Sequence, residues 1–223
     1  MDRTKDTFTT VFRNGFLVLG ALAAVGLLGY GLSYILVMPQ VSPDGFVPTT
    51  LGSSSAPPSH FGTILAGFVL LYAFAFLPVT TLFTVKKYSV NPYALVFAGC
   101  LAGISSLIEI FNNLPLVATG IYPGKLESIP AEVLLYLHQV DAIRFLAFDV
   151  VGFTLIYAAS LVYAIIFFRS QRLLSITIAA SIVLFLANVP CLWFVPNAAV
   201  ILMAISIFAL APVPILLARM AIE

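Results

Sequence analysis

The stretch that decides the fold is LLYLHQVDAIRFLAFDVVGFTLIYAASLVYAIIFF, residues 134–168. It is a long apolar segment whose first half carries four ionisable side chains: His138, Asp141, Arg144 and Asp149. An ionised side chain at the centre of a bilayer costs about 3 kcal/mol or more, so such residues usually face the interior of a helix bundle. At about 100° per residue, His138, Asp141 and Asp149 share one helix face, and Arg144 lies within reach of Asp141. We therefore predict a membrane helix with a polar site in its first half and other helices packed around it.

The composition excludes most soluble classes of protein. Of 223 residues, 61% are hydrophobic and 9% are charged, whereas soluble domains carry about 25% charged residues. We expect an all-α, polytopic transmembrane helix bundle that forms one domain over residues 1–223. A net charge of +1 and the lack of a basic arm or recognition motif argue against nucleic-acid binding. Nucleotide-binding, zinc-protease and hydrolase motifs are also missing from the sequence, and we expect no cofactor.

Six membrane helices are predicted from the apolar runs and their breakers. The first run is too long for a signal peptide and is expected to be retained. Asn91-Pro92 predicts a helix start, Pro115 a helix end, and Pro190 and Pro196 the two ends of a connection. The expected helices are about 16–38, 60–84, 92–113, 131–168, 173–188 and 197–217.

The basic residues orient these six helices. With a cytoplasmic N-terminus, eight of the ten lysines and arginines fall on the cytoplasmic side: Arg3, Lys5, Arg13, Lys86, Lys87, Arg169, Arg172 and Arg219. Lys125 and Arg144 fall on the other side. This asymmetry follows the positive-inside rule and predicts a multi-pass protein of the cell membrane with both termini in the cytoplasm.

The same topology places the polar residues at the extracytoplasmic ends of the helices. Glu109 lies about 26 Å above the start of its helix, and Asp149 about 30 Å above the end of its own. The predicted ligand-binding residues are Glu109, Asn112, Asn113, His138, Asp141, Arg144, Asp149 and Asn188. Arg144 is expected to bridge Asp141 and Glu109, which leaves Asp149 at the floor of the pocket. The cytoplasmic halves of the later helices are expected to be almost wholly apolar.

Three functional classes fit this arrangement. The preferred one is an outward-open pocket that binds or translocates a small or lipidic ligand. The second is an enzyme that acts on a lipid head group, with His60, Glu109, His138, Asp141 and Asp149 either as weakly indicated metal ligands or as acid–base groups. The third is an accessory subunit that docks with partner membrane proteins, and a purely structural polar stripe around Glu109 also stays open. The surrounding partner in every case is the lipid bilayer.

Three features resemble a large family of uncharacterised six-helix bacterial integral membrane proteins. They are Leu137-His138 at the entry to the fourth helix, the hairpin Arg169-Ser-Gln-Arg-Leu-Leu, and the polar helix end Glu109-Ile-Phe-Asn-Asn. The resemblance implies a six-helix architecture over most of the chain. It implies no activity, because that family has none that could be assigned to these residues.

The topology predicts which positions a membrane-impermeant thiol reagent reaches. Single cysteines placed in 39–59 or 116–128 should be labelled from outside the cell. Cysteines that replace Lys86 or Ser170 should be labelled only after the membrane is opened. Labelling of position 170 in intact cells would contradict the six-helix topology.

Overall fold

The computed structural model describes residues 2–37, 60–121, 150–194 and 196–223. These residues are helical apart from short turns, and they contain no strand. The helices are α1 (Asp2–Val37), α2 (His60–Lys87), α3 (Pro92–Ile121), α4 (Val150–Phe167), α5 (Arg172–Phe194), α6 (Pro196–Leu210) and α7 (Pro212–Ile222). The prediction of an all-α bundle is confirmed.

Helices α6 and α7 form one membrane span. The residue between them, Ala211, has helical backbone angles (φ −55°, ψ −34°). Pro212 has no N–H group, so the carbonyl of Phe208 instead accepts a hydrogen bond of 3.2 Å from the Ala211 N–H. The resulting segment, Ile201–Ile222, is one of five in the described residues that are long and apolar enough to cross a membrane. With the shorter apolar segment Arg172–Asn188 in α5, the six predicted helices are confirmed.

Several helix ends differ from the predicted boundaries. Helix α1 begins at Asp2 instead of residue 16, because the polar start continues the helix beyond the apolar run. Helix α3 continues through Pro115 to Ile121, and α5 continues through Pro190 to Phe194. Membrane helices tolerate internal proline because neighbouring groups satisfy the carbonyl that the ring leaves unbonded. Of the long fourth helix, residues 131–149 lie outside the described part of the chain.

Two predicted turns are confirmed by their hydrogen bonds. Asn91 caps α3, because its Oδ1 accepts a 3.2 Å hydrogen bond from the Ala94 N–H, and Pro92 occupies the first helical position. Between α4 and α5, the N–H groups of Ser170 and Gln171 both donate to the carbonyl of Phe167. The tight hairpin therefore places α4 and α5 side by side.

Helix α4 is the central element of the bundle. It stacks Phe153 on Tyr30 of α1 and sets Tyr163 edge-on to Phe83 of α2. Its Gly152 carbonyl accepts a hydrogen bond from α3, and Tyr157 contacts both α5 and α6. Helix α4 therefore contacts five other helices through its described part, whereas the polar first half that the sequence singles out lies outside the described residues.

The outer surface of the bundle is apolar. Large side chains such as Tyr93 (90% exposed), Phe111 (73%) and Ile165 (68%) point away from the core. Soluble proteins rarely expose so much contiguous apolar surface, whereas a bilayer covers it. This surface and the five candidate spans support a membrane-embedded protein.

Glycine permits the close approach of α1 to α2. A Cβ atom added at Gly26 would lie 2.5 Å from the Tyr72 backbone nitrogen and 2.8 Å from the Phe68 carbonyl oxygen. Both are backbone atoms, so this clash could be relieved only if one of the two helices moved as a whole. By contrast, a Cβ atom at Gly15 on the same helix meets nothing within 4 Å.

We therefore expect Gly26→Ala to destabilise the bundle by about 1–3 kcal/mol, the usual cost of overpacking. The matched control Gly15→Ala should be neutral or slightly stabilising, because alanine favours helix. The midpoint of thermal unfolding in detergent measures both effects. Equal midpoints for the two variants would show that α1 and α2 do not approach at Gly26.

Candidate functional site

A buried polar stripe begins at the middle of α3 and continues away from Pro92. It consists of Ser105, Ser106, Glu109, Asn112 and Asn113, all of which are buried. Glu109 is only 1% exposed, and the helix around it is apolar enough to span a membrane. The spacing puts Glu109 one helical turn from Ser105 on one side and from Asn113 on the other, so the polar groups follow one face.

The amide of Asn113 orients the Glu109 carboxylate. Its Nδ2 donates a hydrogen bond of 2.9 Å to the Glu109 carbonyl and another of 3.2 Å to Glu109 Oε2. One amide group thus holds the backbone and the side chain of the same residue. A carboxylate that accepts such hydrogen bonds is already oriented for a further contact.

Gly152 of α4 forms the opposite wall of the site. Ser105 Oγ donates a 2.8 Å hydrogen bond to the Gly152 carbonyl, which joins α3 to α4. A Cβ atom at Gly152 would overlap Glu109 Oε1, so the carboxylate occupies the space that a side chain would fill. The α4 backbone and the carboxylate are therefore in direct contact.

Tyr72 extends the polar region towards α2. Its ring is buried, and its hydroxyl is close enough to Glu109 and Tyr157 for electrostatic interaction. Within the described chain this hydroxyl has no hydrogen-bond partner. It is a donor that a bound molecule or an ordered water could use.

A second polar group lies deeper in the bundle and joins α4, α5 and α6. Ser206 Oγ donates to the Ser181 carbonyl (2.9 Å), and Ser181 Oγ donates to the Ser206 carbonyl (2.7 Å). The Tyr157 hydroxyl is hydrogen-bonded to Ser206 Oγ. This group lies near the middle of α5 and of the span that α6 and α7 form, so the expectation that the cytoplasmic halves are almost wholly apolar stays a prediction. Because a bilayer provides no water, these hydroxyl groups form their hydrogen bonds with one another and with backbone carbonyls.

The structure places only part of the predicted site. Glu109, Asn112 and Asn113 share one buried stripe, whereas Asn188 is buried on α5. His138, Asp141, Arg144 and Asp149 lie outside the described residues, as does the side chain of His60. The bridge from Arg144 to Glu109 and the weakly indicated metal set stay predictions. Among the described residues, no three His, Cys, Asp or Glu side chains are grouped closely enough to hold a metal ion.

Sequence reasoning missed Tyr72, Gly152, Tyr157, Ser181 and Ser206. The signal for the two serines was present, because isolated serines in apolar spans commonly hydrogen-bond between helices. Gly152 has no such local signal, since its role depends on which helix packs against it.

Comparisons with known proteins add no function to this geometry. No family model, no curated protein and no solved structure matches the chain. The function must therefore be inferred from the residues of the site.

The contact between Gly152 and Glu109 predicts a strong coupling between the two positions. Gly152→Ala should destabilise the protein by about 1–3 kcal/mol, because the new methyl group displaces the carboxylate. In a Glu109→Ala background the same change should cost much less, so the two effects should not add. Thermal unfolding of the four proteins measures this cycle. Gly67→Ala, whose Cβ meets nothing within 4 Å, is the control, and strictly additive losses would contradict the contact.

Proposed function

We propose that this multi-pass protein binds or translocates a small or lipidic ligand at the polar end that contains Glu109. In this proposal the polar end faces the extracytoplasmic side and both termini lie in the cytoplasm. The observation that carries it is the burial of Glu109, 1% exposed, within an apolar span. A carboxylate in such a position is expensive to maintain and usually marks a ligand or ion pathway.

The chemistry of the stripe favours a ligand with hydrogen-bond donors. Glu109 supplies acceptor oxygens, and Asn113 holds one of them in a fixed orientation. Tyr72 adds a hydroxyl that can donate or accept. An amine or a hydroxyl group is therefore the part of a ligand most suited to this end. The apolar helices around it would contact the remainder of a lipidic molecule.

The residues predicted by the sequence complete the pocket in this proposal. Arg144 pairs with Asp141 and Glu109 and forms one wall, while Asp149 lies at the floor. Asp149 precedes Gly152 by three residues, about one helical turn. Since Gly152 contacts Glu109, the proposal places Asp149 near the same carboxylate.

Molecules that co-purify with the protein test this function and identify the ligand in one measurement. The wild-type protein is expected to retain a small molecule or lipid through purification in detergent, as detected by mass spectrometry. Glu109→Gln should lose it, because the amide has a single acceptor oxygen and no charge. Asp6→Asn, which alters a carboxylate before the first apolar span (Thr10–Leu32), should retain it.

Identical retained molecules in wild type and Glu109→Gln, in equal amounts, would refute a ligand site at Glu109. Loss of the molecule in both variants would also count against the site. In that case retention of the molecule depends on charge in general and not on the buried carboxylate.

A further inference from the structure

The described basic side chains gather at the end of the bundle opposite Glu109. Phe83 contacts Tyr163 and Phe167, so the final turns of α2 and α4 lie side by side. Gly20 faces Ala218, which places the first part of α1 beside α7. The helix segments and turns that meet here carry six basic residues: Arg13, Lys86, Lys87, Arg169, Arg172 and Arg219. Among the side chains described at this end, Glu223 is the acidic one.

A pocket of about 120 Å³ opens at this basic end. Gln171 and Leu173 border it from the start of α5, and α7 contributes Leu216, Arg219, Met220 and Glu223. It has room for several water molecules or for one group of the size of a phosphate. One wall is apolar, and the other presents the Arg219 guanidinium, the Gln171 amide and the Glu223 carboxylate.

Arg219 is held at the mouth of this pocket by a weak contact. Its Nε donates a 2.8 Å hydrogen bond to Glu223 Oε1, and the two side chains are 70% and 50% exposed. Exposed ion pairs between residues one turn apart contribute little to stability, because water screens the two charges. The guanidinium can therefore exchange the carboxylate for another anion, and its remaining N–H groups suit two oxygens of a phosphate.

We propose that this pocket binds the phosphate of an anionic phospholipid from the surrounding leaflet. Arg219 and Gln171 would bind the phosphate oxygens, while Leu173, Leu216 and Met220 would contact the glycerol and the first methylenes of the acyl chains. The pocket has a polar wall and an apolar wall. This favours a lipid over a free anion, because a free anion has no apolar part to contact the second wall. Leu173 is 66% exposed beside the pocket and offers surface for an acyl chain.

Lipid retention by the purified full-length protein tests the proposal. The protein is equilibrated with detergent micelles that contain equal amounts of phosphatidylglycerol and phosphatidylcholine, and the lipids retained after gel filtration are quantified. Wild type should retain more phosphatidylglycerol than phosphatidylcholine. Arg219→Gln should lower that preference by roughly tenfold or more, the effect of losing a charge-assisted hydrogen bond to the phosphate. Glu223→Gln should raise it, because the competing carboxylate is removed.

Lys86→Gln is the matched control, since it removes an exposed charge at the same end without lining the pocket. It should change the preference much less than Arg219→Gln. Equal effects of these two changes would overturn the pocket, because they would show only general attraction to a basic surface. Equal retention of the two lipids by wild type would overturn it as well. Displacement of phosphatidylglycerol by excess inorganic phosphate would assign the pocket to free anions and overturn the lipid site.

Discussion

The contact between α3 and α4 at Gly152 is the constraint on which the rest of the structure depends. A bilayer provides no water for buried polar groups, so each must find its partner inside the protein. Ser105 binds the Gly152 carbonyl, and the Glu109 carboxylate occupies the space beside the same residue. These contacts fix the register of α3 against α4. Since α4 also contacts α1, α2, α5 and α6, that register positions the whole bundle.

The polarity of the bundle is distributed in three levels along its length. One end holds the buried Glu109 stripe, and the middle holds the neutral network of Tyr157, Ser181 and Ser206. The opposite end exposes basic residues and includes the pocket beside Arg219. The middle level joins the shorter apolar helix α5 to its neighbours by reciprocal hydrogen bonds. The levels are suited to different tasks, since only the two ends bring charged groups near a membrane surface.

The sequence predicted what depends on local pattern and missed what depends on packing. The apolar runs, the Asn91-Pro92 start and the polar stripe around Glu109 all follow from residues close together in the chain. The effect of the prolines was harder to predict, because Pro115 lies inside a helix whereas Pro196 lies at the start of one. The outcome depends on whether neighbouring groups can satisfy the freed carbonyl. The role of Gly152 could not be predicted for a related reason, since it exists only when α3 is beside α4.

The hydrogen bonds that link other helices of the bundle can be compared with the interface that contains Glu109. Tyr157, Ser181 and Ser206 link α4, α5 and α6 by hydrogen bonds, including a reciprocal pair of 2.7 and 2.9 Å between the two serines. Among the described residues, these helices are therefore linked by neutral hydroxyl groups without a buried charge. The link from α3 to α4 has such a hydroxyl of its own in Ser105. A buried carboxylate in the same interface adds a desolvation cost that the Ser105 hydrogen bond does not carry, and this cost is the physical basis of the proposal that Glu109 binds a ligand.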